Sequence, residues 1–325
     1  MKKSLLALAV LGAFAGAASA QSSVTIYGKL DQAVGKEVGS SDKQVRDGSG
    51  SRLGFRGVED LGGGLKALFQ FEHRFSPDTG AANAVFWHGV STVGLGGSFG
   101  TVNLGRQYTA AFSLAQNVID PFGGDSIGNL RGYSLTGSIA TLRGAATAAT
   151  NFAGSGNNGG NTVRYDGKFG AVAVAADISE RSTTATSGQN RPYSIAAQYA
   201  NGPVMVAASY ENPTNVNDDL ITLGGSYTFG PAKVALGLGY GHNTADATVK
   251  QALIGLTYNV SAAGQILAGY AQHKVESAST AKKVSLGYRH NLSKRTQLYT
   301  DVTRVNDVVK TTEKTGYDFG VIHNF

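Results

Sequence analysis

The sequence predicts an all-β chain closed into a transmembrane barrel of about sixteen antiparallel strands, with one connection folded inward. Three observations predict it. Apolar residues alternate with small or polar ones along almost the whole chain. Tight turns alternate with longer polar connections. The chain ends in strand pattern, Tyr317-Asp318-Phe319-Gly320-Val321-Ile322-His323-Asn324-Phe325. A strand that runs to its last residue needs a partner along its whole length, and closing a barrel supplies one on each side.

The alternation has a particular sense. Ile221, Leu223, Gly225, Tyr227 and Phe229 share one face of a strand, opposite Thr222, Gly224, Ser226 and Thr228. Val234, Leu236, Leu238 and Tyr240 oppose Lys233, Ala235, Gly237 and Gly239. Val284, Leu286 and Tyr288 oppose Lys283, Ser285 and Arg289. An oily face toward lipid and a wet inner face explain this pattern. Aromatics on the apolar phase cluster near strand ends: Tyr193, Tyr199, Tyr210, Tyr227, Phe229, Tyr258, Tyr288, Phe319 and Phe325. Such rings suit a membrane–water boundary.

Tight turns fall at 59–64, 96–100, near Gly170, and at 201–203, 230–231, 261–264 and 291–294. Longer connections are expected at 36–49, 76–83, 110–160, 181–190, 212–218, 243–248, 277–281 and 307–314. The stretch 110–160 is too long for a simple loop and too apolar to extend into water. It is expected to fold inward and narrow the interior.

Composition excludes other classes. Hydrophobic content is 42 % of 325 residues, with 45 glycines and no cysteine. No disulfide framework is available, so the hydrogen-bond ladder and packing must hold the fold. Residues 1–20 read as an export signal, with Lys2 and Lys3, an apolar run from Leu5 to Ala17, and Ala18-Ser19-Ala20 before a cleavage point. The mature barrel is then expected over 21–325. Losing Lys2 and Lys3 lowers the formal charge from +6 to +4. The remaining cations are scattered, which argues against a nucleic-acid partner.

The same alternation sorts the charges. Val24, Ile26 and Leu30 face out, so Lys29 and Asp31 face in. Leu53 and Phe55 place Arg52 and Arg56 inward, and Phe69 and Phe71 do the same for Gln70, Glu72 and Arg74. Val163 and Tyr165 turn Arg164, Asp166 and Lys168 inward. Arg or Lys at mid-membrane on the lipid side would cost about 2–4 kcal/mol.

Several segments resemble those of the trimeric general-diffusion porins of Gram-negative bacteria, of the β-proteobacterial type. Ser23-Val24-Thr25-Ile26-Tyr27-Gly28-Lys29-Leu30-Asp31 is similar to the first strand. Residues 51–62, beginning Ser51-Arg52-Leu53-Gly54-Phe55-Arg56, are similar to the second strand and its turn. Gly100-Thr101-Val102-Asn103-Leu104-Gly105-Arg106-Gln107-Tyr108 resembles the strand before the constriction loop, and Asp120-Pro121-Phe122-Gly123-Gly124-Asp125 resembles the loop signature. The resemblance covers the whole chain. It implies a homotrimer of sixteen-stranded barrels in the outer membrane, exported through a cleaved signal. It implies passage of ions and small hydrophilic solutes, contact with outer-membrane lipid and lipopolysaccharide, and assembly by the barrel-assembly machinery.

It also implies a ladder of cations on the wall facing acids on the loop. Arg52 and Lys29 match ladder positions, and His88-Gly89 stands where the fourth strand usually carries an arginine. The loop acid precedes the proline here, as Asp120. Asn158 lies near the place of the usual arginine after the loop. Either the ladder is thinner, or Arg131 and Arg143 fill in from the loop. The expected constriction therefore comprises Lys29, Arg52, Arg56, Arg74, His88 and Arg164 on the wall, with Asp120, Asp125, Arg131 and Arg143 on the loop. Opposed charges across a narrow wet gap would orient water and bias ion passage, here mildly toward anions. Arg106, on the apolar phase with Val102 and Leu104, is expected at a subunit interface. Tyr317, Phe319 and Phe325 match the terminal assembly signal.

The chemistry of other classes is missing from the sequence. It has no G-x-S-x-G, no H-E-x-x-H and no cysteine ligands, so neither an enzyme nor a metal or cofactor site is expected. Gly154-Ser155-Gly156-Asn157-Asn158-Gly159 fits G-x-G-x-x-G without a following helix. A substrate-specific channel is the main alternative, but the inward phases hold Gly, Ser, Ala and Thr rather than an aromatic ladder. A barrel enzyme is a weaker one, and a glycine-rich adhesin lacks the internal repeats it would need.

Overall fold

The computed structural model describes residues 23–123, 126–134, 161–180, 191–212, 218–243, 246–307 and 312–325. The predicted leader, Asp125, Arg143 and the remainder of the inward connection after Ser134 lie outside the described residues. Sixteen strands form one closed antiparallel sheet. They are β1 Ser23–Lys36, β2 in two pieces Lys43–Asp47 and Arg52–Gly62, β3 Leu65–Ser76, β4 Ser91–Gly97 and β5 Gly100–Arg106. Beyond the inward loop follow β6 Thr162–Phe169, β7 Val172–Ser179, β8 Tyr193–Asn201, β9 Val204–Asn212, β10 Asp219–Phe229 and β11 Ala232–His242. The last five are β12 Thr248–Asn259, β13 Gly264–Val275, β14 Ala278–Asn291, β15 Thr296–Asp307 and β16 Thr315–Asn324.

Each strand pairs with its sequence neighbours, and β1 pairs with both β2 and β16. The lower half of β1 meets the long piece of β2, and its upper half meets the short piece. Ser51 stitches the break between the pieces, its N–H and hydroxyl donating to the Asp47 carboxylate. The long connection expected at 277–281 is instead only Glu276 and Ser277, since Ala278 already pairs with Val275. Glu276 adopts a left-handed φ of 52°, which makes so short a turn feasible. The connection expected at 76–83 runs on to Val90 and includes the short strand Ala81–Ala82.

Burial is inverted relative to a water-soluble fold. Val24 is 67 % exposed and Leu223 52 %, whereas Asp31 and Asp301 are fully buried. The outward side chains are the apolar ones in every strand whose phase the sequence predicts. The apolar core lies inside the ring. A helical segment of the loop, a π turn Phe112–Gln116 running into Asn117–Ile119, carries Ile119 toward the wall. Ile119, Phe122 and Leu130 pack on Ala235 of β11, Leu253 of β12, and Leu267 and Ala271 of β13. Full burial of Ile119 or Leu130 contributes about 1.5–3 kcal/mol. Small wall residues make the space: a Cβ on Gly255 would come within 2.6 Å of the Pro121 ring, and one on Gly269 would collide with Leu130.

The seam closes on the terminal residue. Gly28 and Phe325 exchange backbone hydrogen bonds of 3.0 and 3.1 Å, and the Phe325 ring lies over Gly28 where any Cβ would collide with it. Gly28→Val should displace that ring and lower the thermal unfolding midpoint of the refolded barrel in detergent. A variant with the wild-type midpoint and refolding yield would show that the seat is dispensable.

A basic wall facing a clamped loop

Three cations from three neighbouring strands lie in one row, because Lys29 pairs with Arg52 and Arg52 with Arg74 in the sheet register. One buried acid holds two of them. The Glu72 carboxylate accepts from Arg74 Nε at 2.7 Å and lies 3.9 Å from Arg52 Nη1. Tyr27 donates to Glu72 at 3.2 Å and accepts from Gln70 at 2.6 Å. Lys29 Nζ donates to Ser49 Oγ at 2.7 Å, Ser49 donates to Asp31, and the Tyr299 hydroxyl donates to Asp31 at 2.8 Å. The acids are the hidden partners. The Glu72 side chain is 6 % exposed, against 21 % for Arg52 and 14 % for Arg74.

Inward aromatics are present, contrary to the expectation from the inward phases, and they serve as platforms for cations. Arg56 lies 5.3 Å over the Tyr27 ring. Arg289 stands 5.1 Å from Tyr299 and 6.0 Å from Phe122, and makes a two-pronged bridge to Asp301 at 2.7 and 2.8 Å. Arg131 lies 4.7 Å over Phe112, and Lys283 4.6 Å over Tyr133. A ring face attracts a cation and fixes its direction.

The loop is fastened at both ends of its described length. At its base, Arg164 donates to the Tyr108 carbonyl at 2.6 Å and to Ser113 Oγ at 2.9 Å, while bridging to Asp166. Asp177 on β7 accepts the Ala110 N–H at 2.6 Å, and Ser194 on β8 accepts that of Ala111 at 3.2 Å. Midway, Gln198 donates to the Leu114 carbonyl and Gln116 to Glu211. The tip is tied by one carboxylate, since Asp120 accepts backbone N–H groups from Phe122 at 3.0 Å and from Leu130 and Arg131 at 2.7 Å each. Burial pushes the Asp120 carboxyl above the usual carboxylate range, while those three donors pull it down. Lys283 of β14 reaches across to the Ile127 carbonyl at 2.7 Å.

These placements revise the expected site. Lys29, Arg52, Arg56 and Arg74 come together on β1–β3. His88 does not lie on a wall strand, since β4 begins at Ser91; its carbonyl accepts from Arg106 Nε at 2.6 Å. Burial, with Arg106 and Arg74 nearby, holds the His88 imidazole below its ordinary range, so it adds little charge at neutral pH. Asp120 does not face the passage; it is buried as the knot of the loop. Arg131 is likewise buried within the loop. Arg164 anchors the loop base. Asp125 and Arg143 lie outside the described residues. Lys283 and Arg289 were legible as inward, but nothing in the sequence marked them as neighbours of the loop. Lys29, Arg289 and Tyr299 of the wall and Phe122, Gly123 and Ser126 of the loop enclose a recess of about 190 Å³ between them.

A closed barrel with an oily exterior, a charged interior and an inward loop defines a membrane channel. The family model described as Gram-negative porin matches residues 7–309. The chain is 35 % identical over 323 residues to outer membrane porin protein 32 of Delftia acidovorans, covering 92 % of this chain and 88 % of that one. It is 30 % identical to an outer membrane porin protein of Bordetella pertussis, covering 92 % and 93 %. Among solved structures, the anion-selective porin from Comamonas acidovorans superposes with a TM-score of 0.76 at 30 % identity, covering 94 % of this chain and all of that one. Vibrio cholerae OmpT, at 15 % identity and a TM-score of 0.70, shares the fold. The chain belongs to the Gram-negative porin family. It is an outer-membrane diffusion channel and not an enzyme.

Asp120→Asn keeps the size of the knot but sets an amide NH2 against backbone donors. Losing bonds to a charged acceptor costs about 1.5–3 kcal/mol. The barrel should stay folded with a larger and noisier single-channel conductance. Wild-type conductance and noise would show that the knot does not hold the loop in place.

Proposed function

We propose that ions and small hydrophilic solutes cross passively through the gap between the loop and β1–β3, with a mild preference for anions. One observation carries the preference: Arg52 and Arg74 of the row are more exposed than Glu72, the acid that holds them. A solute entering the gap meets guanidinium and ammonium groups, with Glu72 and Asp31 behind them. Oriented charge in a narrow wet gap also favours dipolar over apolar solutes. Asp125 is the remaining loop acid proposed to oppose the wall. The Comamonas relative is described as anion-selective, which supports the same sign. Reversal potentials across a salt gradient in planar bilayers should indicate anion preference, and Arg52→Glu should shift them toward cations. Clear cation preference in the wild type would overturn the proposal.

The proposed assembly is a homotrimer with Arg106 at the subunit interface. Arg106 sits on the outward phase, in one row with Ser91 of β4 and Phe71 of β3, and an outward aromatic group on β3 and the 77–90 connection sets Phe71 5.3 Å and Phe86 4.9 Å from Trp87. Arg106→Ala should weaken trimers on a non-denaturing gel, and trimers as heat-resistant as the wild type would count against this role. Tyr317 and Phe319 on the outward phase of β16, with Phe325 just beyond its end, are proposed as the signal read by the barrel-assembly machinery. Outer-membrane lipid, including lipopolysaccharide, is the proposed surround.

A further inference from the structure

The lipid-facing side of β12–β15 carries cations where the neighbouring outward residues are apolar or neutral. Lys250 and Lys274 are directly opposed across β12 and β13. Both lie on the outward phase, because Gln251 and His273 beside them are buried on the inner wall. Lys282 follows diagonally on β14, opposite Gln272 and Asn306, and Arg304 lies diagonal to it on β15, opposite Val284. All four fall within the last few residues of their strands at the long-connection end.

Like charges directly opposed across a ladder are destabilising unless something lies between them. Among the described residues, Lys250, Lys274 and Lys282 form no ion pair, and the bond recorded for Arg304 is a 3.4 Å contact to Thr315 Oγ1. Two nearby rim acids are engaged elsewhere. Glu276 accepts the Thr248 N–H at 2.7 Å, and Asp219 bridges to His242 at 2.7 Å. Elsewhere on the same rim, Lys36, which opposes Lys43, is matched with Glu313 at 2.5 Å, and Arg46 is matched with Glu37 at 2.7 Å. On β12–β15 four cations gather on adjoining strands without a carboxylate partner among the described residues.

In barrels of this kind the long connections face the cell exterior, so this end of the strands meets the headgroups of the outer leaflet. Long cationic side chains at that depth extend toward headgroup level. A counter-charge supplied by lipid would convert the opposed pair from a strain into a clamp. We propose that Lys250, Lys274, Lys282 and Arg304 form a binding site for the phosphate groups of an outer-leaflet lipid. The assignment deepens the proposed lipid surround and is independent of the passage, whose residues lie on the other face of the sheet.

The test uses the full-length folded protein in uncharged detergent, with lipid binding read by native mass spectrometry. Bisphosphorylated lipid A should bind at least about tenfold more weakly to the variant combining Lys250→Gln, Lys274→Gln, Lys282→Gln and Arg304→Gln, as charge-assisted phosphate contacts are lost. A control combining Lys294→Gln and Arg295→Gln, at the opposite rim, should bind like the wild type. Single-channel conductance should be unchanged in both. Equal binding of the dephosphorylated lipid, or an equal loss in the control, would overturn the site. Full competition by millimolar inorganic phosphate would make it a free-anion site instead. Loss of trimers with lipid binding unchanged would reassign the face to contact between copies. Should the fourfold variant not fold, Lys274→Gln alone decides. It should raise the melting temperature without lipid by relieving repulsion, and should shrink the stabilisation that phosphorylated lipid confers. A variant that melts lower than the wild type without lipid would refute the repulsion on which the proposal stands.

Discussion

Hydrocarbon offers no hydrogen-bond partner to a backbone N–H or carbonyl, and each group left unpaired there costs several kcal/mol. A sheet with a free edge cannot meet that condition across a bilayer. The ring here meets it by pairing β1 with β16 as well as with β2. Once the ring is closed, lipid claims the outer side chains and water the inner ones. The apolar core then has nowhere to form except between the inner wall and a piece of the chain that enters the ring. The loop is that piece, and the small residues of β10–β13 are the space left for it.

The interior is therefore divided. One arc, from β7 to β13, carries small and aliphatic residues between the polar anchors Asp177, Ser194, Gln198 and Glu211, and is covered by the loop. The other, on β1–β3, is lined by cations braced from behind by Glu72, Asp31 and Tyr27. Bracing matters because a long flexible cation would average its charge over a wide volume. A guanidinium held by a carboxylate and a ring face keeps its direction, so its field at the passage is steady. Arg289 shows the arrangement in full, gripped at both prongs by Asp301 and flanked by two rings.

How far the chain could be read follows from the period of a strand. Two residues per repeat fix which face a side chain takes, so Lys29, Arg52, Arg56 and Arg74 were readable as inward. Their common row was not, because it depends on register between strands. The loop obeys no such period. Asp120 looked like a charge presented to the passage, yet its partners are the N–H groups of Leu130 and Arg131, ten and eleven residues on. The stretch 277–281 looked like a connection, but a left-handed Glu276 lets the strand resume at Ala278. Tyr27 and Tyr299 belong to strands whose period says nothing of what a ring supports, and only the three-dimensional placement of Arg56 and Arg289 shows it.

The division of the inner wall has a genetic consequence. In the proposed passage, bore follows from how the loop fits β7–β13 and electrical sign from what projects from β1–β3. These are separate stretches of one polypeptide. Drift in the first can widen or tighten the opening while its polarity persists, and drift in the second can recolour the opening while its diameter persists.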